Sequence, residues 1–188
     1  MYKIAIFASG SGTNAENIAR YFANDTKIKV SCILSNNENA GVHTRMKNIG
    51  ITSITFTKDE WNEATHIVDY LKTKEIDLIV LAGFMSMINK YITSAYAGRI
   101  INIHPSLLPK FGGKGMWGMN VHKAVINAHE TESGITIHHV NNIIDGGSII
   151  LQAKCPVLPT DTPEELATRI HALEYRHYPL AITNLLIK

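Results

Sequence analysis

The feature that most constrains the fold is a regular alternation of short apolar runs with amphipathic segments. The apolar runs are rich in β-branched residues and occupy positions 2–8, 28–34, 51–56, 77–82 and 99–103. Between them, segments such as 15–23 and 58–74 carry apolar residues at helical spacing. Strands that are apolar on both faces and alternate with helices are typical of a parallel sheet covered on both sides. The pattern predicts an α/β fold: a Rossmann-like, mostly parallel twisted sheet with helices on both faces, in a single domain over residues 1–188.

The rest of the chain continues this pattern, except that its last two predicted strands are joined by a turn and not by a helix. Short helices are predicted up to residue 46 and over 86–95 and 121–128, and strands over 134–140 and 148–157, joined by a turn at 145–147. A last helix begins with Thr162 as N-cap, Pro163 at the first position and Glu165 three residues after the cap. It is predicted to reach residue 186, with a bend before Pro179.

Composition excludes several classes of protein. The chain has 188 residues, of which 45% are hydrophobic and 18% charged, as expected of one soluble domain. A net charge of +2 is too small to favour nucleic acid or an anionic membrane as the main partner. Cys32 and Cys155 are isolated in apolar surroundings, as in a reducing compartment. With no signal sequence and no apolar run near the ~20 residues that span a bilayer, a cytoplasmic protein is predicted.

In sheets of this kind, ligands bind beyond the carboxyl ends of the strands. One such end carries ASGSGTNAENI, where the first predicted strand enters Gly10, Ser11 and Gly12 and a helix leaves with Thr13 or Asn14 as its N-cap. Backbone N–H groups and a helix N-terminus suit one phosphate group. The pattern matches neither GxGxxG nor GxxxxGK[ST], which disfavours dinucleotides and nucleoside triphosphates. A plain strand-to-helix turn explains the stretch equally well.

A second such end carries INIHPSLLPKFGG. Residues alternate sides along a strand, so Asn102 and His104 point the same way. Asn102 can donate to a developing oxyanion, His104 can carry a proton, and Asp145 in the IIDGG turn is a candidate partner for the imidazole. Taken singly, each residue is better explained as a loop cap, a core histidine or a turn residue.

Other chemistries find less support in the sequence. The nine histidines lack a zinc-ligand spacing with a third ligand nearby, so no metal site is predicted. The chain has no GxSxG stretch, so a covalent hydrolase is disfavoured.

Together, three stretches resemble the formyltetrahydrofolate-dependent formyltransferases: GSGTN at 10–14, NIHPSLLPKF at 102–111 and IIDGGSIILQAKCPV from residue 143. VLAGFM at 80–85 and the C-terminal LEYRHYPL extend the resemblance over nearly the whole chain. The resemblance implies transfer of the formyl group of 10-formyltetrahydrofolate, as co-substrate and without metal, to the amine of glycinamide ribonucleotide. It implies small-molecule partners, no nucleic acid or membrane, and a monomer or homodimer.

Residue roles follow from the same resemblance. Asn102, His104 and Asp145 match the catalytic trio of the family. Matches to the ribonucleotide and phosphate site are Ser11, Gly12, Thr13, Asn14, Pro109, Lys110 and Glu174. Matches to the folate pocket are Met85, Ser86, Met87, Ile88, Val140, Asn141 and Ile144.

The chain departs from the family at two places. Ser86 stands where members often carry Arg, so folate contacts there are expected to rest on backbone groups. The segment 111–122 is longer than usual, and its glycines predict a mobile rim around 114–119, with Trp117 packing on a ligand or anchoring its own loop.

Three alternatives remain. Formyltetrahydrofolate hydrolase and methionyl-tRNA formyltransferase share the trio but carry extra domains, for which 188 residues leave no room. A phosphate-binding module would need the glycine loop alone.

Overall fold

The computed structural model describes residues 1–187. Those residues form seven strands: β1 Tyr2–Phe7, β2 Ile28–Ser35, β3 Ser53–Thr55, β4 Leu78–Leu81, β5 Ile100–His104, β6 Glu132–His139 and β7 Ile149–Pro156. The same residues form seven helices: α1 Thr13–Tyr21, α2 Gly41–Asn48, α3 Lys58–Glu63, α4 Thr65–Thr73, α5 Lys90–Ala95, α6 Met119–Asn127 and α7 Pro163–Leu186.

The strands belong to one sheet with the order β3-β2-β1-β4-β5-β6-β7. β1 pairs in parallel with β2 and β4, and β2 pairs in parallel with β3. β6 and β7 form an antiparallel pair at one edge. The predicted α/β class with a mostly parallel sheet is confirmed.

By their internal packing the described residues divide into two compact units, Met1–Ile101 and a second that begins at Asn102. The division leaves the single domain over residues 1–188 a prediction, and Lys188 lies outside the described residues.

The first unit is built around β4 and residues 4–7 of β1, whose apolar side chains are almost fully buried. An aromatic cluster extends this core: the ring centroids of Phe7 and Trp61 lie 5.7 Å apart, and those of Trp61 and Phe84 lie 4.8 Å apart. Such aromatic pairs stabilise a core beyond their buried area.

The prediction of one helix over 58–74 is wrong, because α3 and α4 are separated at Ala64. Ala64 has a φ of 57°, in the left-handed region. The Asn89 side-chain amide donates to the carbonyl oxygens of Trp61 (3.3 Å) and Asn62 (2.7 Å), which satisfies groups at the end of α3. This contact is long-range, so the helical periodicity of the segment does not reveal it.

Two further boundaries differ from prediction. The helix predicted over 86–95 begins only at Lys90, since Asn89 is its N-cap and accepts from the Tyr91 N–H at 2.9 Å. The strand predicted over 51–56 is limited to β3, a three-residue strand at the edge of the sheet.

The second unit holds the β6–β7 hairpin and α7. The capping box of α7 is confirmed: the Thr162 hydroxyl accepts from the Glu165 N–H, and the Glu165 carboxylate accepts from the Thr162 N–H. α7 continues through Pro179, and the bend there stays a prediction. The turn before β7 is confirmed, with the Gly146 N–H donating to the Ile143 carbonyl.

Candidate active site

The glycine loop after β1 is shaped by its neighbour α2. Gly12 has a φ of 77° and is itself the N-cap of α1, so the expected Thr13 or Asn14 cap is wrong. A side chain at Gly12 would place its Cβ 2.5 Å from the Val42 Cβ, so only glycine fits there. The Val42 N–H donates to the Gly10 carbonyl at 3.1 Å. This close approach of α2 explains why a glycine, and not a polar cap, begins α1.

A charged cluster that the sequence reasoning missed supports this loop. Arg45 Nε donates to the Ser11 carbonyl at 2.8 Å, and its Nη1 donates to Glu16 at 2.5 Å. Arg20 donates to the same carboxylate. Hydrogen bonds from Arg45 and then Arg20 lower the pKa of Glu16. Arg45 and Ser11 are far apart in sequence, so no local pattern signals this contact.

The first predicted folate segment, 85–88, lies in the first unit after β4. Met85 and Met87 are exposed, and the Met85 N–H donates to Ser9 Oγ at 2.9 Å. Ser86 accepts from the Asn36 side-chain amide at 2.6 Å. At position 86, where family members often carry Arg, this chain therefore has the small hydroxyl of Ser86, which is hydrogen-bonded to Asn36.

The second predicted folate segment lies in the loop between β6 and β7. Asn141 organises it: its Oδ1 accepts from the Ile143 N–H at 2.8 Å, and its Nδ2 donates to the Gly146 carbonyl. Ile144 is exposed and Val140 is half-buried.

The second unit brings the predicted trio together. Asn102 and His104 lie on β5, and Asp145 lies in the turn before β7. His104 Nδ1 lies 3.6 Å from Asp145 Oδ2, which is an ion-pair distance and too long for a hydrogen bond. Both side chains are largely buried, at 5% and 12% exposure.

Asp145 has an unusual backbone conformation, and its carboxylate is bonded by the backbone of Gly113. Its φ of 52° is unusual for a residue other than glycine. Its Oδ2 accepts from the Gly113 N–H at 2.9 Å. A side chain at Gly147 would place its Cβ 1.6 Å from the His139 carbonyl oxygen, so this glycine lets the loop pass close to β6.

Hydrogen bonds define the proton positions of two histidines. His104 Nε2 lies 2.8 Å from the Phe111 carbonyl oxygen, and His138 Nδ1 lies 2.8 Å from the His139 carbonyl oxygen. A carbonyl only accepts, so both nitrogens carry a proton. When the rings are neutral, His104 Nδ1 and His138 Nε2 are therefore the acceptor atoms.

His138 is a site residue that the sequence reasoning missed. It is 2% exposed, and burial lowers its pKa. Its neutral Nε2 lies 3.2 Å from Asn102 Nδ2 and 3.7 Å from Asp145 Oδ1. The amide of Asn102 thus donates one N–H to His138, which orients it and leaves the second N–H for a ligand. Thr136 and His138 lie two positions apart on β6 and so share one side of the strand, which was the available signal.

The other predicted substrate residues are spread over the second unit. Pro109 follows a cis peptide bond, and the Lys110 ammonium pairs with Glu130 at 2.8 Å. Glu174, 6% exposed on α7, raises the pKa of Tyr178 in addition to the larger effect of burial.

Among residues 1–187, no group of three or more His, Cys, Asp or Glu side chains is arranged to hold a metal ion. Over the same residues, no helix combines the length and apolar character needed to cross a membrane.

Comparison with known proteins finds relatives over nearly the whole chain. The formyl transferase family matches residues 2–182. The phosphoribosylglycinamide formyltransferase of Haemophilus influenzae is 40% identical over 187 residues, which cover 97% of this chain and 86% of that protein. A chloroplastic phosphoribosylglycinamide formyltransferase of Arabidopsis thaliana is 37% identical and matches 94% of this chain, which spans 62% of the plant protein.

The crystal structure of phosphoribosylglycinamide formyltransferase from Streptococcus pneumoniae aligns with a TM-score of 0.88 and 37% identity, covering 98% of this chain and 99% of that one. The resemblance seen in the sequence motifs thus extends to the whole fold. The chain belongs to the formyl transferase family.

Proposed function

We propose that the protein transfers the formyl group of 10-formyltetrahydrofolate to the amine of glycinamide ribonucleotide, a step of purine biosynthesis. Family membership and the names of its relatives support the reaction. The observation that carries the proposal is the meeting of Asn102, His104 and Asp145 at the end of β5, with His104 Nδ1 3.6 Å from Asp145 Oδ2.

The reaction is a direct attack. The amine nitrogen forms a bond to the formyl carbon, and the carbonyl oxygen becomes an oxyanion. The bond from that carbon to N10 of the folate then breaks, the attacking nitrogen loses a proton, and N10 gains one. Holding both substrates in contact contributes to the rate because it replaces an encounter in solution.

Asn102 and His104 stabilise the oxyanion. The second N–H of the Asn102 amide donates to it, while the first stays with His138. Protonated His104 donates from Nδ1, because its Nε2 proton is held by the Phe111 carbonyl.

Asp145 supports the charged form of His104. At 3.6 Å its carboxylate attracts the imidazolium without a direct hydrogen bond, and one water beside the pair can bond both groups. Proton transfer from the attacking amine then passes through that water and the carboxylate.

The binding roles implied by the family belong to the same proposal. Backbone N–H groups of Ser11, Gly12, Thr13 and Asn14 bind the phosphate, as expected of a glycine loop at a helix N-terminus. Pro109, Lys110 and Glu174 contact the ribonucleotide. The pterin is bound by Met85, Ser86, Met87, Ile88, Val140, Asn141 and Ile144.

One assay separates this function from its rivals. The absorbance of 10-formyltetrahydrofolate is followed as tetrahydrofolate forms, first with no acceptor, then with glycinamide ribonucleotide, and then with charged initiator tRNA. Release that requires the ribonucleotide supports the transferase. Release without it indicates a hydrolase, release only with charged initiator tRNA indicates the tRNA formyltransferase, and no release indicates a phosphate-binding module.

We also propose a cytoplasmic protein, a monomer or homodimer, with small-molecule partners and neither nucleic acid nor membrane. The small net charge supports the absence of a polyanionic partner.

A further inference from the structure

We propose that Ser106 is a positioning residue of the reaction: its buried hydroxyl fixes the Lys110–Phe111 turn, whose carbonyl holds the proton of His104 on Nε2. The inference rests on the proposed function for its kinetic consequence, although its structural part can be tested without substrate.

The first step concerns His104. Its Nε2 proton is bound by the Phe111 carbonyl oxygen at 2.8 Å, so the proton that comes and goes is on Nδ1, which faces Asp145. If the carbonyl moved away, the neutral ring would be free to place its single proton on either nitrogen. The ring would then present the wrong atom to the oxyanion for part of the time.

The second step concerns what holds that carbonyl. Phe111 has a φ of 55°, a conformation that a bulky residue adopts only when its surroundings impose it. Ser106 is 0% exposed, and its Oγ donates to the Lys110 carbonyl at 2.7 Å, with the Phe111 carbonyl at 3.5 Å. The Ser106 hydroxyl is therefore a buried side-chain contact that restrains this turn, in addition to the bond from His104.

The third step concerns Ser106 itself. Its carbonyl oxygen accepts from the hydroxyl of fully buried Thr136 at 2.7 Å. Thr136 Oγ1 also accepts from the Leu108 N–H and from Gln152 Nε2, both at 2.9 Å. Buried polar networks with satisfied members are rigid, so Ser106 is a fixed point and not a mobile side chain.

The same turn reaches the carboxylate. The Gly113 N–H donates to Asp145 Oδ2 at 2.9 Å. A side chain at Gly112 would place its Cβ 2.5 Å from Leu108 Cδ2 and 3.6 Å from Asp145 Oδ2. The backbone of residues 111–113 thus holds both charged members of the trio, and Ser106 anchors its start.

The test compares Ser106→Ala with Ser133→Ala. Ser133 is the matched control because it is 2% exposed, lies in the same unit, and its Oγ has no hydrogen-bond partner among the described residues. Ser106→Ala is expected to lower kcat roughly 10- to 100-fold, since small misplacements of catalytic groups have effects of that order. KM for both substrates is expected to change by less than about twofold, since no substrate contact is removed. Ser133→Ala is expected to keep the kcat of the parent.

The second readout is the tautomer of His104, measured by ¹⁵N NMR on histidine-labelled protein and assigned by the loss of its signals in His104→Gln. The parent protein should show the Nε2-protonated neutral ring. Ser106→Ala should show a mixture of tautomers. Should Ser106→Ala fold poorly, Ser106→Cys, which retains a weak donor, should show the same changes to a smaller extent.

Lowered kcat together with mixed tautomers supports the proposal. A Ser106→Ala protein that matches Ser133→Ala in both readouts overturns it, as does a rise in KM alone or a loss of kcat with the tautomer unchanged. If the parent protein lacks formyl transfer but Ser106→Ala still mixes the tautomers, the proposed function fails while the positioning role stands.

Discussion

The glycine loop at residues 10–14 and the segment from His104 to Gly113 both lie at the carboxyl end of a strand, yet they are organised in opposite ways. In the loop, Gly12 and the close approach of Val42 shape the backbone, and the backbone N–H groups are proposed to bind the substrate phosphate. In the segment, the side chain of His104 carries the chemistry, and the backbone carbonyl of Phe111 holds it. The loop is therefore sensitive to added atoms, whereas the segment is sensitive to lost polar atoms.

Loss of a polar atom in the catalytic segment should have the largest effect. Asn102→Ala is expected to lower kcat by about 10²–10³, because it removes one donor to the oxyanion. Circular dichroism should show an unchanged fold, and Asp145→Asn should lower turnover to a similar degree. Near-normal turnover in either variant would remove that residue from the mechanism.

The second unit also carries a buried histidine, His122, that changes charge with pH. The glycine loop at residues 10–14 contains no such group. His122 is 2% exposed with Nδ1 unpartnered among the described residues, and burial, with smaller effects of His171 and His104, lowers its pKa to about 4. The unfolded chain, with an ordinary pKa near 6.5, binds this proton first. The free energy of unfolding should therefore fall as the pH drops from about 6.5 to 4, by about 3 kcal/mol from this group.

Urea unfolding at pH 7 and pH 4 measures that loss. His122→Leu should reduce it, while the control His66→Leu, an exposed position on α4, should leave it as in the parent. His138, whose pKa burial also lowers, contributes in the same direction and is unchanged in both variants. An equal loss of unfolding free energy between pH 7 and pH 4 in His122→Leu and the parent would contradict the attribution of this loss to His122.

An added atom in the loop should act on substrate binding. Gly12→Ala combines a φ of 77° with a clash against Val42. We therefore expect KM for the ribonucleotide to rise about tenfold or more. The free energy of unfolding should fall by more than the ~1–2 kcal/mol that left-handed strain alone costs. Gly50→Ala is the matched control, because Gly50 has a φ of 71° with open space around it. Equal effects in the two variants would show that strain, and not the contact with α2, sets the requirement for glycine.

The smallest effect is expected where a side chain only supports the loop. Arg45→Met removes the hydrogen bond to the Ser11 carbonyl and should raise KM for the ribonucleotide about threefold to tenfold with kcat unchanged. Arg20→Met is the control, since Arg20 also bonds Glu16 but has no bond to Ser11. A fall in kcat for Arg45→Met would mean that the loop and the catalytic segment are not independent.

Local signals were sufficient for much of the fold. The start of α7 followed from Thr162 and Glu165, because a capping box involves only residues three apart. The shared direction of Asn102 and His104 followed from strand alternation. Asp145 was a candidate from its place in the IIDGG turn, and the family motifs matched it to the catalytic trio.

Contacts between distant residues account for what was missed. The break at Ala64 depends on Asn89, and the glycine cap of α1 depends on Val42. Likewise His138 joins the trio because β6 carries it to within 3.2 Å of Asn102. No window of the sequence around any of these positions contains the partner.

The central claim is that the formyl carbon passes directly from the folate to the amine. It is tested by incubating the protein with 10-formyltetrahydrofolate carrying ¹³C in the formyl group, together with glycinamide ribonucleotide, and following the label by ¹³C NMR. The account predicts that the label appears as the formamide of the ribonucleotide, and that Asn102→Ala slows its appearance by about 10²–10³. Label that appears as free formate, or that stays on the folate, would contradict it.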